Sequence, residues 1–85
     1  MPLVNLEPGQ SISLSPNENP KDPDAVSNPN DVQGQYTMQV NNDAIAIVQK
    51  FIPPGGYQPF LSPLPNGLTI ANNGDVPLEV KTPGD

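Results

Sequence analysis

The sequence predicts a small all-β domain, namely an antiparallel β-sandwich or barrel of five to six short strands with an extended Pro/Asn-rich N-terminal arm and loop. Three observations predict this fold class. Apolar and polar residues alternate with a period of two in several segments, which is typical of half-buried strands. Turn-forming residues separate these segments every ~8–12 residues, as in sandwiches and barrels. The length of 85 residues, with 13 Pro and 7 Gly, suits one small domain.

Residues 1–34 are predicted to form an extended arm with one strand and a long acidic loop. Ser11 to Ser15 alternates polar and apolar residues and is predicted to be the strand. The lead-in from Leu3 is interrupted by Pro8 and Gly9, so we expect it to run as an arm or as an edge segment. Residues 16–34 are rich in Pro, Asn and acids, and so long a loop is uncommon in a compact domain unless it has a function. We therefore predict that this loop is a contact arm.

Residues 35–85 are predicted to form the β core, which begins with a hairpin. Residues 36–40 alternate, residues 41–43 offer turn chemistry, and residues 44–52 continue with β-branched side chains. A short helix over residues 43–51, capped by Asn42 or Asp43, is the alternative. Three β-branched residues and the Ile-Ala-Ile alternation favour the strand.

Two turns divide the rest of the core. The run Pro53-Pro54-Gly55-Gly56 ends the hairpin and forms a corner, and Asn66-Gly67 is a strong turn pair. The remaining apolar segments predicted to be strands are residues 60–64, 68–71 and 76–80. Pro77 lacks an N–H group, so we expect the last of these to be an edge strand or to contain a bulge.

The composition argues against most catalytic and metal sites. The chain has no Cys and no His, so it cannot form disulfides or the usual thiolate and imidazole metal sites. It also lacks the side chain most often used for proton transfer near neutral pH. The serines have no His and no convincing Lys to act as a base. We therefore expect no enzymatic activity and no cofactor.

The charge balance and the N-terminus restrict the partners. Three Lys and no Arg stand against nine acidic residues, which gives a formal net charge of -6. Such a surface repels a phosphate backbone, so we expect no direct nucleic-acid binding. The first residues have neither a basic region nor a long apolar run, and no segment approaches the ~20 apolar residues that span a bilayer. We expect a protein made in the cytoplasm with no membrane partner.

The small core points to a larger assembly. Domains near this length bury only ~60% of their unfolded surface and are marginal alone. Because disulfides are excluded, the remaining source of stability is oligomerisation or docking on a larger partner. We therefore expect a homo-oligomer or a chain that is docked on a larger partner.

Two residue clusters are candidate sites. Asp22 and Asp24, followed by Asn28, Asn30 and Asp31, lie in the acidic loop and partly match a calcium loop, but their spacing does not fit the EF-hand series. A solvated loop that complements a basic partner surface is favoured. The four aromatic residues Tyr36, Phe51, Tyr57 and Phe60 could instead form a carbohydrate-stacking surface, although core and interface are their favoured roles.

In its general pattern the chain resembles the small cement or decoration proteins of tailed bacteriophage capsids. It shares with them a tiny Cys-free β chain, long Pro/Asn-rich arms and an acidic surface. The resemblance implies a virion structural protein that binds across junctions of the major capsid protein, or another virion protein, and stabilises the shell. It further implies that the chain is a homo-oligomer, either a trimer or a dimer. It also implies that the arms and exposed aromatics make the contacts, through Leu3, Val4, Leu6, Ile12, Leu14, Asp22, Asp24, Asp31, Tyr57 and Phe60.

Two alternatives stay open at this point. One is a small β-sandwich binding module for a glycan or a host protein, with a site that involves Tyr36, Tyr57 and Phe60. The other is a different virion accessory protein, at the head-tail junction or the baseplate, because the same physical reasoning applies there.

Overall fold

A computed structural model describes residues 3–42 and 47–83 of the chain. The described residues form eight strands and no helix, and therefore no helix that could cross a membrane. The strands are β1 (Leu3–Leu6), β2 (Ser11–Leu14), β3 (Asp24–Ser27), β4 (Gly34–Val40), β5 (Ile47–Ile52), β6 (Tyr57–Phe60), β7 (Leu68–Ala71) and β8 (Leu78–Lys81). The all-β prediction is confirmed, but the strand count is eight rather than five to six.

The strands form two four-stranded antiparallel sheets. Sheet A has the order β1-β8-β3-β6, and sheet B has the order β2-β7-β4-β5. The chain pairs with itself as one long ribbon, because β1 pairs with β8, β2 with β7, β3 with β6 and β4 with β5. The ribbon then wraps so that β8 also pairs with β3, and β7 with β4. This connectivity is that of an eight-stranded jelly roll, a form of β-sandwich.

The core lies between the two sheets. Side chains alternate along each strand, so one face of each sheet points inward, and rows of opposed residues such as Val4, Val80 and Val26 lie on that face. The main buried cluster consists of Leu6, Leu14, Val26, Tyr36, Ile52, Ile70, Leu78 and Val80. Each fully buried large apolar side chain contributes about 1.5–3 kcal/mol to folding. No pairing among the described strands joins the two sheets, so the sandwich alternative is correct and the barrel is not.

The predicted arm over residues 1–34 is corrected by the structure. Three strands lie in this region, and they belong to both sheets. β1 is an edge strand of sheet A, as the edge-segment alternative expected. β3 lies inside the predicted loop and is a central, buried strand. It was missed because it has only four residues, with Pro23 before it and Pro29 shortly after it.

The last predicted strand is shifted by its proline. The strand β8 begins at Leu78, directly after Pro77, and lies in the centre of sheet A between β1 and β3. Pro77 therefore precedes the strand and removes no donor from the sheet, so the expected edge position is wrong. The predicted segment 60–64 is also shifted, since β6 ends at Phe60 and is an edge strand that contains Pro59.

The predicted hairpin is confirmed. β4 and β5 pair antiparallel from Gly34 opposite Ile52 to Gln39 opposite Ile47. Residues 47–51 are therefore strand and not helix, while residues 43–46 of the helix alternative lie outside the described residues. The corner after β5 is also present: Gly56 N donates to the Pro53 carbonyl (2.8 Å), and Gly55 has a φ of 69°. It carries the chain from sheet B to sheet A.

Candidate functional site

Sheet B ends in an edge strand that is unusually open. The other edge strands β1, β2 and β6 have four residues each, and β6 also carries Pro59. β5 has six residues and no Pro, and residues 47–51 are all exposed. Edge strands offer free N–H and C=O groups to other strands, and proteins normally protect them by shortness, Pro, charge or coverage. We call residues 47–51 the β5 edge.

The β5 edge is apolar on both faces. Ile47 and Phe51 lie on the outer face of sheet B and are 53% and 59% exposed. Val48 lies on the inner face, opposite Met38, and is still 51% exposed, because the sandwich is open at this side. Lys50 is the one charged residue of β4 and β5. A partner strand at this edge would thus gain both backbone hydrogen bonds and apolar contacts.

A second exposed surface is the outer face of sheet A, which we call the sheet A face. Its two rows are Leu3, Lys81, Ala25 and Pro59, and then Asn5, Glu79, Ser27 and Tyr57. Leu3 and Tyr57 are the large apolar side chains on this face, 59% and 56% exposed. They are also the two apolar residues of the predicted contact set that the structure leaves fully accessible.

The other apolar residues predicted to contact a partner point into the sandwich. Leu6 and Leu14 are buried members of the core. Ile12 and Phe60 are partly buried and pack against that core, and Val4 is half-buried on the inner face. The alternation along β1 and β2 turns every second residue inward, so these side chains stabilise the fold and are not available as an arm.

The three predicted acidic contacts lie in different environments. Asp31 is exposed in the loop between β3 and β4, and Asp24 is 1% exposed at the start of β3. Asp22 lies 3.7 Å from Lys81 Nζ in a partly exposed ion pair. Within residues 3–42 and 47–83, no group of three or more acidic side chains could hold a metal ion. Asp22, Asp24 and Asp31 therefore do not form one cluster, although Asp22 lies close enough to Asp24 to raise its pKa.

Asp24 is the most unusual polar residue of the chain. Its side chain points to the inter-sheet side, like that of Val26, and neither carboxyl oxygen has a hydrogen-bond partner among the described residues. Burial raises the pKa of Asp24 above its ordinary value, and Asp22 adds to the rise. Asn17 and Lys81 lower the pKa only in part. The amide of Asn17 donates to the Asp22 carbonyl (3.0 Å) instead of bonding the carboxylate with good geometry.

Asp24 also lines a cavity at one end of the sandwich. The cavity has a volume of about 410 Å³ and lies where β2 ends, β3 begins and β8 ends. Ile12 and Leu14 give it an apolar side, while Asn17 and Thr82 add neutral polar groups. Ser62, which is fully buried, exchanges two backbone hydrogen bonds with Asn17 nearby (2.6 and 2.7 Å). Its hydroxyl has no hydrogen-bond partner among the described residues. The buried polar side chains at this end of the sandwich are therefore less completely hydrogen-bonded than those elsewhere in the described chain.

Two buried asparagines organise the opposite end, a structural role that was not predicted from the sequence. Asn28 Nδ2 donates to the carbonyls of Val32 (2.8 Å) and Ile52 (3.1 Å). Asn72 Nδ2 donates to those of Leu6 (2.8 Å) and Val76 (2.8 Å). Both asparagines begin the same pattern, Asn-x-x-Asp-Val, which occurs once after β3 and once after β7. This internal repeat is the signal that could have identified the two loops as structural.

The aromatic residues do not form one surface. Tyr36 is 1% exposed in the core. Tyr57 lies on the sheet A face, whereas Phe60 lies three residues later on the inner side of the same strand. Phe51 lies on the outer face of sheet B, so the four aromatic residues of the predicted stacking surface are not brought together.

Comparisons of this chain with protein-family models, with curated proteins and with solved structures gave no match. The two exposed surfaces, the β5 edge and the sheet A face, are the features of the described chain that suit a partner.

Proposed function

We propose that this chain is a non-enzymatic virion structural protein, a cement or decoration protein that binds across junctions of major capsid subunits and stabilises the shell. The observation that carries the proposal is the open β5 edge. A protein that works as an isolated monomer is exposed to aggregation through such an edge. A protein that is built into an ordered assembly has its edge covered there.

The shape of the molecule suits a layer on a shell. Its principal extents are 34 × 30 × 16 Å, so it is a slab one sandwich thick. A broad side of 34 × 30 Å is large enough for the ~800 Å² that each partner contributes to a standard specific interface. The jelly roll is also an architecture of viral capsid domains, although lectin domains use it too, so the fold alone does not select the function.

We assign the shell contact to the sheet A face. Leu3 and Tyr57 lie at opposite edges of that face, on β1 and β6, and Lys81 is held in its ion pair with Asp22. A flat face with apolar side chains at its margins and few free charges can lie across a seam between two subunits. The net charge of -6 favours a basic or neutral surface beneath it. Many such contacts stabilise a shell by mass action, since each binds only the assembled state.

The first experiment measures the chain in virus particles. Particles purified from a culture that carries the gene are digested with Asp-N protease, because three Lys and no Arg leave few tryptic sites. Quantitative mass spectrometry then gives the copy number relative to the major capsid protein. A ratio of the order of one to one, or a fixed small fraction across preparations, supports the proposal. Absence from particles refutes it, and a few copies per particle indicate a head-tail or baseplate position instead.

The second experiment tests the surface. Shells that lack the chain are mixed with purified wild-type protein or with Tyr57→Ala, and occupancy is measured after sedimentation. We expect the variant to need about tenfold more protein for half occupancy, or more, as for a residue that loses over 1 kcal/mol at an interface. Ser11→Ala, on the outer face of the opposite sheet, is the matched control. Equal binding of all three proteins would refute the assignment of the sheet A face.

A further inference from the structure

We infer that the β5 edge pairs antiparallel with the β5 edge of a second copy, about a two-fold axis that passes through Gln49. The two B sheets then join into one continuous eight-stranded sheet. This inference deepens the proposed function and rests on it only in treating β5 as an assembly edge. It identifies the partner at the β5 edge as a second copy of the chain, which the virion role by itself does not specify.

The geometry of antiparallel pairing limits the possible registers. Directly opposed residues lie on the same face of a sheet, so a two-fold axis must pass through a residue position and not between two positions. For the exposed part of β5, the axis positions that keep the overlap long are Val48, Gln49 and Lys50. An axis at Lys50 would place two ammonium groups directly opposite each other, which is destabilising.

An axis at Gln49 gives favourable pairs throughout. On the outer face, Ile47 of each copy lies opposite Phe51 of the other, which forms two pairs of an aromatic with a β-branched residue, a favourable combination. The two Gln49 amides meet between them. On the inner face, Lys50 lies opposite Val48 of the other copy, so that its methylene stem covers the apolar side chain while the ammonium reaches water. An axis at Val48 would oppose Ile47 to Gln49, and the position opposite Phe51 would then fall outside the described residues.

The charge distribution supports a second copy at this edge. Two chains with a formal net charge of -6 repel each other over most of their surfaces. β4 and β5 contain no acidic residue, and the outer-face neighbours Gln35, Thr37 and Gln39 are neutral. Two copies can therefore approach along β5 without bringing acidic side chains of these two strands together. In the Gln49 register the two lysines lie diagonally across the axis and not opposite each other.

The test uses the absence of cysteine from the natural sequence. Gln49→Cys introduces a single thiol, and the two thiols of a dimer would lie on the axis. Opposed residues of an antiparallel pair have Cβ atoms about 4.5–5.5 Å apart, close to what a disulfide requires. Mild oxidation should therefore give a covalent dimer on a non-reducing gel. Ser13→Cys is the matched control, since it is exposed on the outer face of β2, the other edge of the same sheet.

A second pair of variants keeps the test independent of cysteine chemistry. By light scattering across a hundredfold concentration range, the wild-type chain should shift from the mass of one chain to that of two. Phe51→Glu should weaken this dimer by about tenfold or more, which corresponds to at least ~1.4 kcal/mol. Tyr57→Glu, at a residue that is equally exposed on the other sheet, should leave it unchanged.

Each other outcome would overturn the inference. A wild-type monomer at all concentrations, a trimer, or equal cross-linking of positions 49 and 13 would exclude the β5 pair. Stronger cross-linking at Val48→Cys or Lys50→Cys than at Gln49→Cys would exclude the Gln49 axis. These results are separate from the proposed function, because a chain that fails here could still be found in virus particles, and a dimer could be absent from them.

Discussion

Replacing Asp24 by Asn should stabilise the protein at neutral pH. Asp24 is 1% exposed, and neither of its carboxyl oxygens has a hydrogen-bond partner among the described residues. Asn has nearly the same shape but carries no charge. The substitution therefore removes the cost of burying an ionised carboxylate and changes the packing very little.

The size of the effect follows from the environment of the carboxyl group. A buried polar group without a partner costs about 1–3 kcal/mol, and a charged one costs more. Asp24 lies beside a cavity at the end of the sandwich, and Lys81 offsets part of the charge. We therefore use the lower part of the range, about 1–2 kcal/mol. For a domain of this length that corresponds to a rise in Tm of roughly 4–16 °C.

The pH dependence gives the sharper test. The pKa of Asp24 is raised in the folded state, mainly by burial, so the folded chain holds this proton more tightly than the unfolded chain does. Stability must then fall as the pH rises from the ordinary value of 3.8 through the folded-state pKa. The advantage of Asp24→Asn should accordingly be small at pH 3, grow through this window, and be constant above it.

The assay is thermal unfolding followed by circular dichroism at pH 3, 5 and 7. Other acids titrate in the same range, so the quantity compared is the difference between wild type and variant at each pH. Asp31→Asn, in an exposed loop, serves as the control and should change stability by no more than about 0.5 kcal/mol. A lower Tm for Asp24→Asn at pH 7, or an advantage that does not vary with pH, would show that the carboxylate has a stabilising partner and would refute the reasoning.

Two further substitutions test the turns and the loops. Gly67→Ala should lower the unfolding free energy by about 2 kcal/mol or more, because φ is 75° and the new Cβ would lie within van der Waals overlap of the Leu14 carbonyl oxygen. Gly9→Ala has a similar φ of 87° with open space around it, so it should cost only about 1 kcal/mol, and equal losses in urea titrations would contradict this. Asn72→Ala leaves the carbonyls of Leu6 and Val76 without its amide, and should cost about 2–4 kcal/mol. The exposed neighbour Asn73→Ala should be nearly neutral, and a similar loss for both would disprove the structural role of Asn72.

Local signals in the sequence were sufficient for the regular parts of the fold. The alternation in residues 36–40 and the β-branched run that follows gave the β4–β5 hairpin, and Asn66-Gly67 gave the turn before β7. They failed where a strand is short and flanked by Pro. β3 is such a strand, and three of its four residues are buried because β8 and β6 pair on either side of it.

The candidate contact residues show the same division. Leu3, in the predicted arm, and the aromatic Tyr57 are both exposed, as expected of contact residues. Leu6 and Leu14 belong to the same predicted arm but are buried, because their strands pair within the sandwich and alternate inward. A sequence pattern determines how side chains alternate along a strand. Which face of the strand is covered depends on pairing and packing with strands that are distant in the sequence.

The amino-acid sequence by itself determined the fold class, the absence of thiol and imidazole chemistry, and the acidic charge, because composition and local periodicity control these properties. The tertiary structure alone decided that residues 3–27 belong to the sandwich and not to an arm. It also decided that Asp24 is buried and that β5 is the open edge. These properties depend on pairing between residues far apart in the chain, such as Leu3 with Lys81, and no local pattern records which strands will meet.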